Sequence, residues 1–285
     1  MDFKVKLKGH GSFTIREGWL AKGLFSLKED NKIFTNKEAT DILGIGTNMV
    51  TALKYWMYVT GLIEDGKKNE VKLTKLAELI LQYDPYIEDI FSLWFLHYNL
   101  TQNTDKALIW NIFFNKCNDK NFTKRELLEQ IEYDLESNNY NFNDKMLLDE
   151  VNVLIKTYCN DEKKENPENN FICPLVELKI LRKIDREKYQ KEKANINNLN
   201  YLIVYYGLLN QLNDKNSISI DDLFKMDNSI SKIFSLDKNI LNEYLEQLKK
   251  HEYITINRTA GLNMIYINKR INIEDMFKKY FEKGV

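Results

Sequence analysis

Between residues 35 and 74 the apolar positions recur in steps of three and four, stop at a Gly-Ile-Gly turn, resume, and then shorten into two brief apolar runs. Thr35 with Glu38 three positions later has the spacing of a capping box, and Ala39, Ile42 and Leu43 fall on one helical face. Gly44-Ile45-Gly46 breaks that helix, since glycine tolerates the positive φ of a tight turn. Thr47 or Asn48 opens a second helix. Its pattern turns Met49, Val50, Leu53 and Trp56 inward and Thr47, Asn48, Thr51, Lys54 and Tyr55 outward. Gly61 ends it. Leu62-Ile63 and 71–73 then read as two strands around a charged tip that carries Lys67 and Lys68. Helix, turn, helix and hairpin is the order of a winged helix.

The pattern elsewhere is mostly helical. Alternating Phe3 to Lys8 predicts an edge strand or extended arm, and a helix starting at Ser12 or Thr14 would bury Trp19, Leu20, Leu24 and Leu27. Further helices are expected over 75–83, 87–100, 105–115, 124–138 and 144–158, with Thr123 and Glu126 forming a second capping box. Residues 160–170, NDEKKENPENN, read as a linker because they hold no apolar residue. The charged stretch 179–193 reads as the solvated face of a helix or a phosphate-tracking surface. From 217 to 268 the opening plan recurs: two short helices, a longer one over 238–250, then two alternating strands with Arg258 at the tip between them. The expected organisation is a winged-helix domain over 1–83, a helical middle over 84–160, and a helical region over 171–285 holding a second winged helix at 217–268.

Composition sharpens this to a mainly α-helical protein. Apolar residues make up 44%, while 3 prolines and 11 glycines among 285 residues leave few breakers. Net charge is -1, so a uniformly basic nucleic-acid binder is excluded. Charge is nonetheless uneven. Residues 1–82 hold 13 Lys+Arg against 10 Asp+Glu, 83–170 hold 9 against 17, and 171–285 hold 19 against 15. Two mildly basic ends flank an acidic middle. The 3 cysteines form no CxxC pair and the 3 histidines lie far apart, so no zinc site is expected. That cysteine usage fits a reducing cytoplasm, and no signal peptide or membrane span is expected.

Thr47, Asn48 and Thr51 are suited to hydrogen bonds with bases or phosphates, and Lys54, Lys67 and Lys68 to phosphates. Arg258 at the second hairpin would reach a minor groove or a phosphate. Gly9 to Lys22 gather a polar cluster in which Arg16 and Lys22 are candidate phosphate ligands and His10 a candidate general acid or base. The blander alternatives are that polar helix faces are simply solvated, that winged helices also bind proteins, and that His10 packs or caps. His97, amid Trp94, Phe95 and Tyr98, reads as a core histidine.

Several blocks together resemble the bacterial family called domain of unknown function 4007. They are His10-Gly11-Ser12-Phe13 through Arg16 to Gly23, Ile33-Phe34-Thr35 with Gly44 to Val50, Tyr55-Trp56 and Gly61-Leu62-Ile63. Asp84-Pro85-Tyr86 with Glu88-Asp89, Leu93-Trp94 with Leu96-His97, and Cys173-Pro174-Leu175 complete the set. The resemblance implies a part in bacterial DNA phosphorothioation and the defence built on it. Its partners would be double-stranded DNA, a cysteine desulfurase, a sulfurtransferase resembling adenosine-phosphosulfate reductases, and an ATPase. In the Ssp-type system the family member is regarded as the DNA-nicking component, which would call on Mg or Mn; a homodimer is a further expectation. No metal ligands are assignable from spacing. A transcriptional regulator and a protein-only adaptor remain the alternatives.

Overall fold

A computed structural model describes residues 3–68, 70–159, 172–259 and 263–282. Helices dominate, small sheets join them, and the chain divides into two compact units, Met1–Glu192 and Lys193–Val285. The expected linker at 160–170 lies outside the described residues.

The first unit opens with β1 (Phe3–Lys4), an extended stretch, and α1 (Trp19–Glu29). Next come α2 (Ala39–Leu43), α3 (Thr47–Val59), the antiparallel hairpin β2 (Ile63–Asp65) and β3 (Val71–Leu73), and α4 (Lys75–Tyr83). α1 and α3 approach closely because Gly23 has no side chain: a Cβ there would lie 2.3 Å from Met57 Sδ. Trp56 and Leu53 of α3 are fully buried.

α5 (Ile90–Gln102) and α6 (Leu108–Asn115) follow. Trp94, Phe95, Trp110 and Phe113 are fully buried, so these helices are apolar nearly all round and form core rather than surface. β4 (Asn121–Thr123) leads into α7 (Lys124–Ser137), whose Thr123–Glu126 capping box forms as expected. β5 (Tyr140–Asn141) pairs in parallel with β1, and α8 (Asp144–Tyr158) has the bounds its periodicity predicts. After a 3-10 turn at Pro174–Leu178, β6 (Leu181–Lys183) and β7 (Lys188–Lys191) join β4 in the order β4-β7-β6.

The second unit consists of α9 (Tyr201–Leu212), β8 (Ser217–Ser219), α10 (Asp222–Lys225), α11 (Ile230–Ile233), α12 (Lys238–Lys250), β9 (Ile254–Asn257), β10 (Met264–Ile267) and α13 (Ile273–Phe281). Its sheet has the order β8-β10-β9. Tyr244, Leu245 and Leu248 of α12 share its core with Phe234, Ile265 and Phe277.

Four sequence expectations need correction. The capping box at Thr35 is absent: residues 33–35 form a 3-10 turn, Thr35 Oγ1 donates to the Lys32 carbonyl, and α2 starts at Ala39. Ile42 is 52% exposed rather than inward: in the five-residue α2 only Ala39 and Leu43 are buried. The first helix starts at Trp19, not at Ser12 or Thr14: Gly11 and Ser12 adopt positive φ in a turn, and Gly18 supplies the helix start at φ 75°. Residues 179–193 hold a β-hairpin. Leu181 and Tyr189 point into the core between exposed lysines and arginines, a two-residue period masked by charge.

Candidate nucleic-acid interface

The exposed side of α3 gathers the residues singled out for DNA contact. Thr47, Asn48 and Thr51 are exposed and Lys54 is half-buried. α3 begins after Gly46 with no capping side chain and no acidic residue in its first turn, so its early N–H groups and the positive end of its dipole face outward. Lys22 of α1 reaches the turn that precedes α3. A Cβ on Gly44, in the α2–α3 turn, would lie 4.0 Å from Lys22 Nζ. The fold thus brings Lys22 beside the α2–α3 turn at Gly44, 22 positions along the chain, a proximity that spacing did not reveal. Lys67 and Lys68 are exposed at the β2–β3 tip.

Tyr55, read as outward, turns in. Its hydroxyl donates to the Lys106 carbonyl at 2.9 Å, and burial with the nearby Glu150 carboxylate pushes its phenol well above the ordinary range. Arg16 holds its guanidinium 5.2 Å from the centre of the Trp19 ring, and burial lowers its pKa. In the second unit Arg258 leans on α12, its guanidinium 3.4 Å from Glu246 Oε1 and 3.5 Å from Asn242 Oδ1.

His10 has no exposed surface. Its Nδ1 accepts from the Ser12 N–H at 3.0 Å, which assigns the neutral-ring proton to Nε2. Nε2 lies 3.0 Å from Glu150 Oε1, but its N–H is off that line, so the contact is short-range electrostatics rather than a linear hydrogen bond. Tyr55, Trp56 and Trp110 enclose the ring, with centroids 5.6, 5.8 and 5.8 Å away. The extended stretch is pinned on both sides: Glu150, 2% exposed, accepts from the Lys8 N–H, and the Trp56 indole donates to the Phe13 carbonyl. The ring therefore has no solvent-facing edge in this geometry, and its surroundings hold the extended stretch in place. Glu150 escaped the sequence reading. The available signal was a carboxylate set among Leu147, Val151 and Leu154 on the buried stripe of α8.

No group of three or more His, Cys, Asp or Glu among the described residues is placed to hold a metal ion.

The class the fold defines is a mainly helical protein with small antiparallel sheets. The chain belongs to the family described as "Protein of unknown function (DUF4007)", whose model matches residues 7–281. Two solved structures share its fold: "Magnesium ion-bound SspB crystal structure" and "SspB crystal structure", with TM-scores of 0.84 and 0.82. Each is 20% identical over 97% of this chain and 88% of its own. No curated protein matches the chain. No helix among the described residues is long and apolar enough to cross a membrane.

Proposed function

We propose that this chain is a DNA-binding subunit of a bacterial DNA phosphorothioation and defence system. In this reading residues 35–74 are a winged helix that lays α3 in the major groove, with β2–β3 as the wing, and 217–268 are a second one built on α12. The single observation behind it is the α3 start: an uncapped helix terminus, three exposed hydrogen-bonding side chains and, beside the preceding turn, the Lys22 ammonium. Family membership and the likeness to SspB support the system assigned. A sulfurtransferase, a cysteine desulfurase and an ATPase are the partners that would perform sulfur insertion. No bond-cutting step is assigned to this chain's residues.

The test is duplex binding against salt concentration by fluorescence anisotropy. Each phosphate contact contributes about 0.9 to the logarithmic salt slope. Lys22→Ala and Lys54→Ala should each lower it by about that amount, and Asn48→Ala should change sequence preference more than slope. A flat slope for the unaltered protein sinks the reading.

A further inference from the structure

A second surface of the first unit has a different chemistry. A cavity of about 430 Å³ opens between the start of α1, the turn ahead of α5, and the 3-10 turn at Pro174–Leu178. Its walls are apolar, with Leu20 and Ala21 of α1, Ile87, Leu93 of α5, and Pro174. Glu17, Glu88 and Glu177 line it as well; all three are exposed, and their carboxylates make no ion pair with any described residue. The one cation on the lining, Arg16, rests on Trp19. Beside the mouth, Tyr86 is 64% exposed and packs at 5.8 Å against Phe25, itself 41% exposed.

Size and lining match a ligand pocket, and the exposed Phe25–Tyr86 pair carries apolar surface past the mouth, farther than a small molecule needs. Three carboxylates against one guanidinium repel a phosphate backbone and favour a cation. We propose that this cavity docks a partner protein through an extended segment that places a large apolar side chain between Leu20, Ala21 and Leu93 and sets flanking lysine or arginine against Glu17, Glu88 and Glu177. Tyr86 and Phe25 then cover the segment's exposed side, a use of aromatic residues typical of binding hot spots. Binding here is independent of the α3 surface, so a DNA complex could recruit a second protein through it.

The probe is a short fluorescein-labelled peptide with Leu-Phe at its centre and lysines on either side, titrated with the full chain. Two controls replace Leu-Phe by Ala-Ala, or the lysines by glutamates. The expected result is binding of the first peptide alone. Ala21→Trp, which fills the cavity, should weaken it by tenfold or more, and Glu88→Lys and Tyr86→Ala by roughly threefold to tenfold. Ala21 is buried, so the two exposed positions keep the test decisive if Ala21→Trp fails to fold. No binding of the first peptide, equal binding of the Ala-Ala control, or unchanged affinity in the Glu88 and Tyr86 variants overturns the proposal. So does competition by duplex DNA that Glu88→Lys strengthens. Loss of DNA affinity in the Lys22 and Lys54 variants with peptide binding intact would leave the two surfaces separate.

Discussion

At the residue scale, the contact between His10 and Glu150 is the feature that most changes the sequence reading. A histidine two positions past a lysine and ahead of a cluster of polar residues suggested chemistry; the structure buries it beside Glu150 and against Trp56. Removing one partner of a buried polar pair strands the other. Glu150→Ala should therefore cost about 1–3 kcal/mol by urea denaturation, with His10→Ala similar and the double variant less than their sum. Additive losses would show that the pair is not coupled. The three cysteines make a second test. All are buried thiols, and burial pushes Cys117 to about 11 and Cys173 to about 12. The thiolate is the reactive form, so none should react with a disulfide reagent at pH 8 until denaturant is added, when all three should. Histidine type and position were legible in the sequence. Glu150 was not, because a lone acid on an apolar stripe names no partner 140 positions away.

At the element scale, α1 and α3 form the frame that carries the proposed interface, and Gly23 sets their separation. A Cβ 2.3 Å from Met57 Sδ requires Met57 to move out of a fully buried position. Gly23→Ala should destabilise by about 1–3 kcal/mol through overpacking, and DNA affinity should fall with it as the Lys22 end of α1 shifts. Gly23→Ala at full affinity would show that α1 does not set the geometry of the α3 start. Elements with strong local signals were readable: the capping box of α7, the bounds of α8, and the strands of both hairpins. Those whose signal is tertiary were not. β6 and β7 alternate correctly, but their lysines and arginines gave the stretch the look of a solvated helix until β4 supplied the third strand. Thr35 and Glu38 had the right spacing for a cap, yet Asn36 accepts the Glu38 N–H instead and delays the helix.

At the scale of the whole molecule, buried acids set the alkaline limit. Burial lifts Tyr158 well above the ordinary phenol range and Tyr205 to about 12, in addition to the two thiols. The folded chain keeps these protons while the unfolded chain releases them, so each group costs stability as pH rises from about 9 to 12. Lys191 runs the other way. Burial lowers it to about 8, so between about 8 and its ordinary 10.5 the unfolded chain binds the extra proton and folding gains with rising pH. The acids outnumber it, and the urea midpoint should be lower at pH 10.5 than at pH 8.5; a rise would mean the lysine dominates. The two units have separate cores, and residues 193–285 expressed alone should melt cooperatively. A featureless melt of that fragment would refute its independence. Charge distribution foretold the basic and acidic segments but not the carboxylate rim of the α1 cavity, which draws on three segments far apart in the chain.

The pinned extended stretch also fixes an order of events during synthesis. Lys8 and His10 leave the ribosome early, but their partner Glu150 lies 142 positions beyond Lys8. At roughly 5–20 residues per second, that interval is on the order of 7–30 s. Trp110 precedes Glu150 by 40 positions, so the seat formed by Trp56 and Trp110 then waits on the order of 2–8 s for the carboxylate that pins its covering stretch. The nascent chain therefore carries an open aromatic groove for several seconds, and a trigger-type chaperone that shields it should raise the yield of folded protein more than one acting after release.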